Sequence, residues 1–140
     1  MMPRDTSRGA GAQAPEDGAA RRRHRVLLVE DNRNLRLTTA RMLEHLGYSV
    51  TAVDNGPAAV ELYRRQPPDA TILDVGLPGM SGREVLTSIR ELVPDARIVL
   101  CSGAPEDLAA ATNVDGPVER LAKPYDIEAL SEALTRVLAD

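Results

Sequence analysis

There is no tryptophan and no phenylalanine among the 140 residues, and tyrosine occurs only as Tyr48, Tyr63 and Tyr125. Any core must therefore be aliphatic, drawn from Val, Leu, Ile and Ala. Cys101 is the sole cysteine, which excludes a disulfide framework and a cysteine-based metal cluster. No apolar run approaches the length that crosses a bilayer, and the N-terminal stretch lacks the apolar segment of a secretory leader. The expected compartment is the cytoplasm, with no membrane as partner. The net charge of −4 is unevenly spread: residues 1–25 carry six arginines against three acids, and the remainder eleven basic residues against eighteen acids. An acidic globular part offers no broad nucleic-acid surface, so DNA binding is not expected.

The length suits one domain with a real core. Residues 1–24 are rich in Gly, Ala, Pro and Arg without apolar periodicity and are expected to be a disordered tail, with the domain spanning 25–140. The cluster Arg21-Arg22-Arg23-His24-Arg25 reads as a solvated lead-in to the first strand. From Val26 onward, strand and helix patterns alternate. Strands are expected at 26–30, 48–53, 70–74, 97–101 and 118–122. Helices are expected at 33–46 (ended by Gly47), at 56–66 (stopped by Pro67-Pro68), at 82–92 with Val85, Leu86, Ile89 and Leu92 on one face, and at 127–138. A weak helix is expected over 105–112, with little but Leu108 and alanines to bury. Five βα units imply a parallel sheet with helices on both faces.

Charged and polar residues gather where these strands end. Ala70-Thr71-Ile72-Leu73-Asp74 runs apolar into a carboxylate and then breaks into a Gly/Pro loop. Glu30-Asp31 follows the first strand, Ser102 the fourth and Lys123 the fifth. In open α/β sheets, ligands bind beyond the carboxyl ends of the strands. Taken singly, each position has a plainer role. Asp74 suits a turn, Glu30-Asp31 a helix N-terminus, Ser102 a local turn and Lys123-Pro124 an exposed loop. Cys101 reads as a small core residue, and His45 as a favourable charge near a helix C-terminus.

Glu30-Asp31-Asn32, Asp74 followed by Leu77-Pro78-Gly79-Met80-Ser81-Gly82, Ser102-Gly103-Ala104 and Lys123-Pro124-Tyr125 together resemble, in order and spacing, the receiver domain of two-component response regulators. The resemblance covers roughly residues 25–140. It implies a flavodoxin-like, doubly wound five-stranded parallel sheet with strand order 2-1-3-4-5, and Asp74 as phosphoacceptor. It further implies that Asp31, Asp74 and the Gly76 carbonyl ligate a metal directly, with Glu30 acting mostly through water. Lys123 and Ser102 would contact the phosphoryl oxygens. The implied partners are a sensor histidine kinase or histidine phosphotransfer protein and a downstream target protein of unknown identity.

The metal follows from charge as well. Three gathered carboxylates against one ammonium leave two negative charges, which a divalent cation neutralises, and all-oxygen ligands select Mg²⁺. Two positions depart from or vary the family pattern. Arg120 stands three before the lysine, where the family usually has an aromatic, and is expected to stay at the surface; Tyr125 stands where the family often has Phe. The positions two beyond Asp74 and Ser102, Gly76 and Ala104, are both small. Because nothing follows the last helix, a stand-alone phosphoacceptor that signals by altered protein binding is expected. It would be no enzyme beyond its own phosphorylation and dephosphorylation. The alternatives are a receiver-like binding module acting without phosphorylation and a haloacid-dehalogenase-like phosphatase, which would need an acid where Gly76 stands. A flavodoxin-like nucleotide binder would need a Gly-rich loop after the first strand, which is absent.

Overall fold

In the computed structural model, which describes residues 24–104 and 116–139, the apolar segments form five parallel strands. These are β1 (Arg25–Val29), β2 (Ser49–Val53), β3 (Ala70–Asp74), β4 (Ile98–Ser102) and β5 (Val118–Ala122). The order across the sheet is β2-β1-β3-β4-β5, with Leu28 in register with Ile72 and Leu73 with Leu100. Parallel neighbours require crossovers. The described crossover helices are α1 (Arg33–His45), α2 (Gly56–Arg65) and α3 (Gly82–Leu92), and α4 (Ile127–Leu138) follows the last strand. Residues 1–23 and 105–115, where the tail and the weak helix are expected, lie outside the described residues. Among the described residues no helix is long and apolar enough to cross a membrane.

Both faces of the sheet are covered, so β1, β3 and β4 are buried almost throughout and read as continuous apolar runs. Leu27, Val29, Leu73, Ile98 and Leu100 pack under α2 and α3, while Val26, Leu28, Ile72, Val99 and Cys101 pack under α1 and α4. β2 and β5 lie at the edges, where fewer residues are buried. Local chemistry fixes the helix starts. Asn32 accepts from the Leu35 N–H, Ser81 and Glu84 form a reciprocal capping box, and Asp126 accepts from the Ala129 N–H. At the end of α1, Gly47 takes φ 99°, a left-handed conformation that a side chain would strain.

Several boundaries differ from the expectation by one residue: β2 begins at Ser49 rather than Tyr48, and α1 and α2 end at His45 and Arg65 rather than at 46 and 66. β1 spans 25–29 rather than 26–30, so Glu30 lies just past the strand, although its N–H still reaches the Val53 carbonyl at 3.1 Å. β4 includes Ser102 and begins at Ile98. Leu92 is 41% exposed, because α3 ends there and Val93, the next residue, packs on the core instead.

The turn after β3 depends on Gly82, whose N–H bonds the Val75 carbonyl at 3.1 Å. A Cβ there would lie 2.5 Å from the Asp74 carbonyl oxygen and 2.6 Å from the Val75 Cα. Alanine normally favours a helix by about 0.5–1 kcal/mol over glycine. Against rigid backbone the overpacking dominates, so Gly82→Ala is expected to lower stability by about 1–3 kcal/mol in urea titration. Gly76→Ala, whose Cβ would meet only Asp74 Oδ1 at 3.8 Å, serves as the tolerated comparison. Equal stability of the two variants would contradict this account of the turn.

Tyr63 is buried beneath the sheet, its phenol 2.5 Å from the Thr71 hydroxyl. Burial pushes this phenol's pKa above its ordinary value, more than the Thr71 bond and the Arg90 charge pull it down. A value raised on folding gives stability that is complete below the unfolded pKa of about 10 and is lost as pH rises through the folded value. Tyr63→Phe should flatten part of that alkaline loss in thermal melts, though not all, since Tyr125 is shifted the same way. At neutral pH the variant should lose about 1–3 kcal/mol by leaving the Thr71 hydroxyl unpaired. An alkaline melting profile identical to the parent would refute the assignment.

Candidate functional site

The centre of the sheet is where the chain's winding reverses, with β1 and β3 side by side and their crossovers on opposite faces. Loops diverge there and leave a cleft at the strand C-termini. β1 delivers Glu30 and Asp31 to it and β3 delivers Asp74. One carboxylate oxygen from each lies within 4.8 Å of the other two. β5 delivers Lys123, whose Nζ lies 3.0 Å from Glu30 Oε1 and 3.2 Å from Asp74 Oδ2. Glu30 and Asp74 are buried and Asp31 is exposed, so the cluster has a dry floor and one acid at its mouth.

The second oxygens of the two buried acids are bound as well. Glu30 Oε2 accepts from the Asn32 N–H at 3.0 Å, and Asp74 Oδ1 accepts from the Gly76 N–H at 3.0 Å. Burial pushes the Glu30 pKa up and Asp74 adds to the rise, and the opposing pull of Asn32 and Lys123 is not enough to reverse it. For Lys123, burial alone favours the neutral amine, but the Glu30 and Asp74 carboxylates outweigh it and hold the ammonium charged.

Three acids and one ammonium leave two negative charges uncompensated. Oxygen donors of this kind, open to water on the Asp31 side, fit a small hard divalent cation that keeps part of its hydration shell. Zinc and copper, which favour sulfur or imidazole, do not suit this set.

The backbone between strands fixes these positions. The Val75 N–H donates to the Cys101 carbonyl at 2.9 Å, and the Lys123 N–H donates to the Ser102 carbonyl at 2.8 Å. Ser102 is buried, with its hydroxyl in its own turn. It accepts from the Ala104 N–H at 3.0 Å and lies 3.3 Å from the Ala104 carbonyl. Cys101 is buried, and desolvation pushes its thiol well above the ordinary range, so no thiolate is offered to the cleft. Arg120 lies exposed on β5. His45 sits exposed in the last turn of α1, away from the cluster.

Three features of the site are not readable from the motifs. The Arg36 guanidinium donates from Nη1 to the Glu30 carbonyl at 2.9 Å and to the Asp31 carbonyl at 3.3 Å, gripping the loop that bears two of the acids. The Tyr125 phenol lies 2.8 Å from the Thr39 hydroxyl on α1. Finally, Lys123 is the single lysine among seventeen Lys and Arg residues, the other sixteen being arginines. Only this last signal was open to inspection of the sequence.

Residues 26–135 match the profile of the response regulator receiver domain. The chemotaxis protein CheY of Bacillus subtilis strain 168 is 30% identical over 117 residues, covering 82% of this chain and 98% of that protein. The response regulator receiver protein CpdR of Brucella abortus strain 2308 is 32% identical over 118 residues, covering 81% of this chain and 96% of its own length. Among solved structures, the receiver domain of a sensor histidine kinase from Pseudomonas aeruginosa PAO1 is 30% identical with a TM-score of 0.76, covering 84% of this chain and 98% of that one. That structure has a magnesium ion coordinated in its active-site cleft. Sheet order, the acid–lysine cleft and these likenesses point the same way, and the chain belongs to the response regulator receiver domain family.

Proposed function

We propose that Asp74 accepts a phosphoryl group from the phosphohistidine of a histidine kinase or histidine phosphotransfer protein, with Mg²⁺ held by Asp31, Asp74 and the Gly76 carbonyl and with Glu30 acting through water. The observation that carries this reading is the placement of Asp74, buried at a strand end in a cluster of three acids with the Lys123 ammonium 3.2 Å away. When bound, the metal supplies the positive charge that lets an anionic nucleophile meet an anionic phosphoryl group.

The chain's own residues would do the remainder. An Asp74 carboxylate oxygen forms the new bond to phosphorus as the phosphorus–nitrogen bond to the donor's imidazole breaks, and the imidazole leaves with the electron pair. The Gly76 N–H and Lys123 hold the Asp74 carboxylate in one orientation. Lys123 would then share its charge with the phosphoryl oxygens, and Ser102 would turn its hydroxyl from Ala104 to a phosphoryl oxygen. The output of this reading is altered binding to a partner protein, in the cytoplasm where such donors act. The only chemistry it assigns to the chain is its own phosphorylation and dephosphorylation.

Incubation with acetyl phosphate and Mg²⁺ should add one phosphoryl group, visible by intact mass, and Asp74→Asn should abolish it while keeping the shape. A full-yield adduct in that variant would remove Asp74 from its role. The Asp31→Asn change deletes one of the charges at the mouth, so Mg²⁺ affinity should fall by about tenfold, on the order of 1.4 kcal/mol. Isothermal titration decides this, and undiminished affinity in the variant would reject Asp31 as a ligand.

A further inference from the structure

We propose that Thr39 and Tyr125 are positioning residues for Lys123, so that one helix, α1, sets the spacing between the anionic and cationic halves of the site; this rests on the function proposed above. Lys123 leaves the tip of an edge strand and must reach across β4 to acids on β3 and β1. On one side its backbone is anchored by the bond from its N–H to the Ser102 carbonyl. Two residues later, the ring of Tyr125 packs on the core beneath α1 and α4, and its hydroxyl meets Thr39 across 86 residues of sequence.

Thr39 is fully buried in the middle of α1. A threonine there can donate to the carbonyl one turn back, which leaves its oxygen free to accept. The phenol keeps its proton, since burial pushes its pKa well up, and it is available to donate. Phenylalanine would fill the same space without this bond and leave the Thr39 oxygen without its partner.

The opposite half of the site hangs on the same helix. Asn32 caps α1 and its N–H binds the Glu30 carboxylate, while Arg36 holds the carbonyls of Glu30 and Asp31. Positions 32, 36 and 39 of one rigid element therefore hold both the loop with the acids and the loop with the lysine. A shift of α1 or loss of the Thr39 contact would change the distance between Nζ and the carboxylates. Misplacement by about 1 Å can lower a rate up to a hundredfold.

The single lysine makes this measurable. Protein grown with isotope-labelled lysine gives one ε-methylene resonance, that of Lys123. Tyr125→Phe and Thr39→Val should each move it toward the position of an unstructured lysine, and the double variant should move it no further than either single one. Phosphorylation by acetyl phosphate should slow by about five- to tenfold in each. In a Lys123→Met background, the Tyr125→Phe change should add no further loss. A resonance unmoved by both single changes would overturn the proposal, as would an equal loss of rate with and without Lys123. Should the unaltered protein take up no phosphoryl group, the proposed function fails, and the lysine resonance alone still decides the positioning claim.

Discussion

The ammonium of Lys123 between Glu30 and Asp74 is the interaction on which the rest of the site depends. Two largely buried carboxylates within reach of each other repel, and each has lost most of its water. Removing one partner of such a buried group typically costs about 3–5 kcal/mol, against a total stability on the order of 5–15 kcal/mol. The ammonium side chain is 22% exposed, so solvent screens part of this and the lower end of the range is the better guide. The pair nevertheless leaves the cluster two charges short of neutral. That imbalance is the property that favours a divalent cation, and a site satisfied by protein groups alone would have no use for one.

A sheet made of aliphatic strands can support this arrangement because parallel order places every strand C-terminus at one edge. The central strands are covered on both faces and cannot slide, since a shift by one residue would move their side chains to the opposite face. Loop positions then inherit the precision of the strands through bonds such as Val75 to Cys101 and Lys123 to Ser102. Tight backbone contact at Gly82 brings α3 directly under the loop that follows Asp74. The scarcity of aromatic rings is no handicap, because Leu, Ile, Val and Ala fill a core on each face of the sheet.

Much of this was legible in the residue pattern. The run Ala70 to Asp74 announces a buried strand ending in an acid, and the segments 82–92, 118–122 and 127–138 carry their own start and stop signals. Glu30, Asp31, Asp74 and Lys123 were recognisable because they stand together at the ends of apolar strands, in the order and spacing that resemble a receiver domain, and the structure gathers them. The contacts of Arg36 were not legible, since its acceptors are main-chain carbonyls that every residue possesses. Nor was the meeting of Thr39 with Tyr125, whose partnership depends on how α1 crosses the sheet. Leu92 misled because a helix-period pattern does not reveal that the next residue, Val93, turns inward in its place.

Energetics also limit how a phosphoryl group at Asp74 would be felt elsewhere. In the proposed reaction the Ser102 hydroxyl exchanges a neutral bond within its own turn for a charged acceptor. Such an exchange is worth about 1–2 kcal/mol, or roughly a tenfold change in an equilibrium. An aromatic side chain following the hydroxyl into a vacated apolar space would add to that bias. Arg120 lies exposed at the corresponding place on β5, and burying a guanidinium there would oppose the change rather than assist it. On the proposed function, the output would then rest on a small shift in population between states of similar energy. A partner protein that prefers one state would have to supply the remaining discrimination through its own contacts.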